Sequence, residues 1–172
     1  QGSATTDQWK RLNRGVLKFD TSAIPDTDGI DSATLSPFGK SGAGTTIPVT
    51  ANIYSASVSA TYAQADYATA NFGTTTFSTG ISDSAWSTTT YNDFALNASG
   101  LANISKTGIS TFGFCLQEDR SGSAPAWTSG ASGDCRSAQV DLAGTTNDPK
   151  LVVVHSAAGG AAGRPNFLTL LG

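Results

Sequence analysis

The sequence predicts an all-β domain, a jelly-roll-like antiparallel β-sandwich with short helical turns, a flexible linker and an apolar C-terminal tail. Three observations predict it. Charged residues make up 13% of the 172-residue chain, about half the usual share. Serine and threonine together supply about a quarter of it, and the stiff, β-branched threonine side chain suits a pleated, half-buried surface. Short runs of alternating apolar and polar residues recur between clusters of Gly, Asn, Asp and Pro, the residues that turn a chain back on itself.

Residues 1–11 are polar, without period, and read as an N-terminal arm. The sandwich domain is expected over 12–155. In 12–20 (LNRGVLKFD), Leu17 and Phe19 share one face and Val16 and Lys18 the other, the two-residue period of a strand. The acidic stretch 26–31 reads as a turn, and 32–38 as a second strand with Ala33 and Leu35 on one face. Residues 39–46 form a loop by composition. Val49, Ala51 and Ile53 alternate with Thr50, Asn52 and Tyr54, the clearest two-residue period in the chain.

The alanine-rich stretch 62–72 predicts one or two helical turns ending at Asn71 to Gly73. Strands are expected over 74–77 and 87–94 with Trp86 at an edge, a short helical segment over 96–104, and a strand carrying Phe112, Phe114 and Leu116 opposite Gly113 and Cys115. Strands over 137–142 and 151–155 close the fold. The run LVVV at 151–154 reads as a strand buried on both faces, because it is continuously apolar. Residues 156–163 (SAAGGAAG) are a Gly/Ala linker, and 164–172 (RPNFLTLLG) an apolar tail. With Phe167, Leu168, Leu170 and Leu171, the tail must dock. It covers either its own domain or a neighbouring subunit, as a strand added to an open edge.

Composition also excludes partners. A net charge of −3 gives no basic field for phosphate backbones or anionic lipids. Lys10, Arg11, Arg14 and Lys18 cluster, which reads as a solvated strand face. No apolar run reaches the ~20 residues of a membrane span. The chain has no methionine, even at position 1, so a processed product or a piece of something longer is expected.

Chemistry has few carriers. His155 is the only histidine and Glu118 the only glutamate. A Ser–His–Asp site would rest wholly on His155, and no G-x-S-x-G accompanies it. Glu118 and Asp119 are adjacent, so in a strand they would face opposite ways, which does not suit a glycosidase pair. The sequence therefore points away from an enzyme. Cys115 and Cys135 frame a polar loop of about 20 residues whose closure would remove roughly 3 kcal/mol of unfolded-state entropy. A disulfide between them, implying an oxidising compartment, is expected, with two separate buried thiols as the competing reading. Asp26, Asp28 and Asp31 around Gly29 are candidate Ca²⁺ ligands, or the residues of an ordinary turn; no other cofactor is expected. Trp127, Trp86 and Tyr62 are candidate sugar-stacking platforms, with core packing as the competing role.

The short motifs carry a resemblance. Residues 14–20 (RGVLKFD), then 23–25 (AIP) and 32–35 (SATL), are similar to the opening of DNRLRE-type β-sandwich domains; 91–101 (YNDFALNASGL), 108–113 and 147–154 (NDPKLVVV) are similar to their second half. The resemblance implies a jelly-roll-like module, related to carbohydrate-binding modules, from secreted, surface or phage-type structural proteins. The expected function is thus a non-catalytic extracellular module, a structural or adhesive subunit of a surface assembly with neighbouring copies as partners. The alternative is a carbohydrate-binding module of a larger polysaccharide-active protein.

Overall fold

The computed structural model describes residues 1–41, 46–138, 146–157 and 166–171. The middle of the loop expected over 39–46 (42–45), the end of the strand expected over 137–142 (139–142), most of the linker (158–163), and tail residues Arg164, Pro165 and Gly172 lie outside them, and Gly39–Lys40, expected in that loop, form a strand. In chain order the strands are β1 (Gly15–Asp20), β2 (Asp28–Ser36), β3 (Gly39–Lys40), β4 (Thr50–Ser55), β5 (Ile81–Ser82), β6 (Phe94–Ala95), β7 (Ile109–Leu116), β8 (Arg136–Ser137), β9 (Lys150–Ala157) and β10 (Asn166–Leu171). Two short helices, α1 (Ala98–Ala102) and α2 (Gln117–Ser121), punctuate them.

Two antiparallel four-stranded sheets form the sandwich, in the orders β1-β7-β4-β5 and β10-β9-β2-β6; β3 and β8 pair separately. Along β1, β2, β4, β6, β7 and β9 the chain changes sheet at each successive strand, the winding of a jelly roll. The core lies between the layers. Leu17, Phe19, Ala51, Ile53 and Phe112 come from one sheet, and Ala33, Leu35, Phe94, Leu151 and Val153 from the other. The alternation in β1 and β7 is as the sequence predicts: Leu17, Phe19 and Phe112 are buried in the core, with Phe114 and Leu116 packed against it.

The first sheet is roofed on its outer face. Residues 56–80 cross over it with two single-turn 3₁₀ helices, Gln64–Tyr67 and Thr69–Asn71, where helical turns are expected. Phe72, Tyr54 and Cys115 pack as a second small cluster beneath this roof, with Val16 against it. Gly113 makes the approach feasible, since a Cβ there would stand 2.9 Å from the Phe72 ring. Asn52 is also buried, its Oδ1 accepting from Ser78 Oγ (2.7 Å) and from Ile53 N (2.8 Å). β4 is therefore covered on both faces, although its sequence alternates.

Four further expectations are corrected. β2 begins at Asp28, so the acidic stretch is half strand, with a bulge between Ile30 and Ser32. Residues 74–77 and 87–94 are bends and turns until β6, because side chains clamp them. Asn97 Nδ2 donates to Thr76 O (2.9 Å), and Asn92 brackets Ser87 by accepting from its N–H (2.8 Å) and donating to its carbonyl (3.0 Å). Trp86 is not at an edge but in the core, 5.6 Å from Phe114 and 6.3 Å from Phe94 between ring centroids. Finally, β9 alternates: Leu151, Val153 and His155 are buried, while Val152 and Val154 on the outer face are half-buried.

Candidate functional site

The acidic stretch holds a lysine. Lys106 Nζ donates to the carbonyls of Asp26 and Asp28, the latter at 2.8 Å. The Asp28 carboxylate is buried against His155 Nδ1 at 2.7 Å, and Asp31 accepts from Ser156 Oγ at 3.0 Å. The carboxylates of Asp28 and Asp31 thus have different partners, and Asp26 and Asp28 meet Lys106 through their backbone carbonyls. Among the described residues no group of three acidic, histidine or cysteine side chains converges on a point. Lys106 and His155 tie down this strand start. The Asp28–His155 contact fastens β2 to β9.

The cysteines are free thiols on opposite sides of the first sheet, not a disulfide. Cys115 faces the roof with Tyr54 and Phe72, while Cys135 belongs to the main core. Strand alternation separates them: Cys115 points away from the face that Phe114 and Leu116 turn to the core. Burial pushes both thiols up to about 12, with Asp119 adding to the effect at Cys115 and Asp83 at Cys135.

Beside Cys115 lies a buried ionic group absent from the sequence reading. Arg14, expected on a solvated face, donates from Nε and Nη2 to the two oxygens of Asp119 (2.7 and 2.8 Å) and from Nη1 to Tyr67 O (3.0 Å). Its hydrogen bond to Asp119 holds the guanidinium above its usual pKa despite partial desolvation. Arg120, also buried, donates to the carbonyls of Phe72 and Gly73, which close the roof. Asp119 and Glu118 lie on α2, not in a strand. Asp119 is committed to Arg14, and Glu118 accepts from Thr50 N (3.1 Å). Both carboxylates position backbone and guanidinium groups.

The aromatic candidates do not assemble. Trp86 donates from Nε1 to Arg136 O (3.2 Å) inside the core. Tyr62 is exposed, with Lys18 Nζ 4.5 Å from its ring centre. Trp127 donates to Gln8 O (3.1 Å), which fastens the N-terminal arm to the 122–135 loop. That arm has structure: Gly2 bridges Trp9 and donates to Ala131 O (2.7 Å). Arm and loop together wall a cleft of about 660 Å³ at one end of the sandwich, lined among others by Trp9, Leu12, Pro125, Glu118, Asp134 and Arg136. Sequence reasoning missed it because its walls are a periodless arm and a polar loop, whose meeting no local pattern announces.

The tail docks on its own domain. β10 pairs with β9 over six residues, from Asn166 opposite His155 to Leu171 opposite Lys150. Leu168 and Leu170 turn inward and pack on the core. Phe167, at 71% exposure, and Leu171, at 53%, turn outward beside Val154 and Lys150. The other edge of β10 makes no backbone hydrogen bond with any described residue. Comparisons with family models, curated proteins and solved structures find no match to this chain.

Proposed function

We propose that the chain is a non-catalytic extracellular β-sandwich module that serves as a structural or adhesive subunit of a surface assembly, such as a cell-surface filament, an adhesin or a virion appendage. One observation carries this reading: β10 is an uncharged, proline-free edge strand, with Phe167 and Leu171 exposed on it. Proteins that remain single blunt such edges with lysine, proline or bulges, because an open, flat, apolar edge templates pairing with another chain. Sedimentation of the full chain across a concentration series is the test. Self-association that Phe167→Lys abolishes is the expected result, and a monomer throughout, indifferent to that change, overturns it.

The end cleft favours a second reading, a carbohydrate-binding module of a larger polysaccharide-active protein. Trp9 and Leu12 offer apolar surface beside Glu118, Asp134 and Arg136, the mixture that a sugar's C–H faces and hydroxyls require. Saturable binding on a glycan array, lost in Trp9→Ala, is its expected signature.

A further inference from the structure

Resting on the assembly reading, we infer that two copies of this chain pair through β10 in one register, antiparallel and centred on Thr169. The pairing joins two four-stranded sheets into one of eight.

Symmetry restricts the choice. A two-fold axis that sets identical edge strands antiparallel in one sheet stands perpendicular to that sheet, so both copies keep their core faces on the same side. Directly opposed residues then share a face. In β10 the outward set is Phe167, Thr169 and Leu171, and the inward set is Leu168 and Leu170. Outward must therefore meet outward, which excludes every register that places Phe167 opposite Leu168 or Leu170.

Of the registers left, the one centred on Thr169 uses the strand from 167 to 171. Phe167 of each copy then lies opposite Leu171 of the other, Leu168 opposite Leu170, and Thr169 opposite Thr169. The two most exposed apolar side chains of the strand thereby cover each other twice, and the inward leucines extend the core across the axis. Shifting the centre by one residue leaves Phe167 or Leu171 opposite Thr169 and loses pairs at one end. No charge lies between 166 and 171 to oppose the contact. Lys18, on the neighbouring edge strand of the other layer, is turned to that sheet's outer face, onto Ser59 O (2.7 Å). The chain thus holds a self-complementary edge, and the partner it fits is a second copy.

The axis gives the test, because only residue 169 meets itself. Thr169 is exposed, so Thr169→Lys and Thr169→Glu leave the core intact. Each alone places like charges opposite one another and is expected to weaken self-association about tenfold or more, while an equimolar mixture associates again. Mild oxidation of Thr169→Cys is expected to cross-link the variant to itself, because opposed Cα atoms about 4.5–5.5 Å apart fall within disulfide range. If the full chain associates and Phe167→Lys abolishes this, but both charged variants at 169 behave like the parent, the register is overturned while the assembly reading stands. A cross-link between Thr169→Cys and Val152→Cys copies overturns it in favour of strand exchange, since Thr169 lies opposite Val152 within one chain. A monomer at every concentration overturns both.

Discussion

The two sheets of the sandwich differ most on their outer faces. That of the first sheet is a second interior: Tyr54, Asn52 and Cys115 lie buried on it under Phe72, the 3₁₀ turns and Arg120. That of the second is uncovered by any described residue, with Val152, Val154, Phe167 and Leu171 set among Ser32 and Thr34. The roof is held by charge. Arg14 and Arg120 gather the carbonyls of Tyr67, Phe72 and Gly73 around Asp119. Nothing comparable crosses the second sheet among the described residues. Among the described residues, one layer covers its spare surface with its own chain and the other presents it, which is why the assembly reading places the contact there.

The largest effect should come from removing the roof's keystone. Phe72 is 4% exposed and sits on Gly113 and Tyr54. Phe72→Ala leaves a cavity that the Arg120-bound backbone above it cannot readily collapse into, and a loss of about 3–5 kcal/mol in urea unfolding is expected. A loss under about 1 kcal/mol would show that the roof is a loose flap and that the contrast between the faces is superficial.

This contrast is what the sequence conceals. Val49 to Tyr54 shows the sharpest alternation, whereas residues 151–154 are continuously apolar and read as doubly buried. The structure buries both faces of the first and one face of the second. Periodicity records which side chains share a face. It does not record what covers that face, and the cover over β4 comes from residues 56–80 and α2, remote in sequence. Arg14 shows the same blindness, since its partner Asp119 is 105 residues away. The sandwich was legible because Leu17, Phe19, Ala33, Leu35, Phe112 and Phe114 follow the two-residue period that the pleat imposes. The turns at 74–77 and 87–94 were not. Threonine suits a strand, yet the amides of Asn92 and Asn97 capture the backbone there before a ladder can form.

A smaller effect tests the roofed side through its chemistry. Burial holds Cys115 and Cys135 up to about 12, so at pH 8 roughly one thiol in ten thousand is thiolate. Native protein should leave a thiol reagent almost unconsumed. Unfolding in urea without reductant should release two reactive thiols, and raising the pH toward 12 should speed the native reaction. If denatured, unreduced protein yields none, a Cys115–Cys135 bridge exists and the two sides of the sheet are cross-linked.

The smallest effect belongs to the open face. Phe167 matches Phe72 in size but not in setting. At 71% exposure its ring leaves little apolar area to lose, and the ladder to β9 depends on backbone groups that alanine keeps. Phe167→Ala should therefore change the unfolding free energy of the dilute monomer by no more than about 0.5 kcal/mol. Leu168→Ala, one residue on but turned to the core, should cost about 1–2 kcal/mol for its half-buried side chain. Urea melts at low protein concentration separate the two, because any stability that Phe167 draws from a neighbouring copy disappears on dilution. A dilute-solution cost for Phe167→Ala equal to that of Leu168→Ala would mean that the outer face is already covered within one chain, and the edge would then have no reason to seek another.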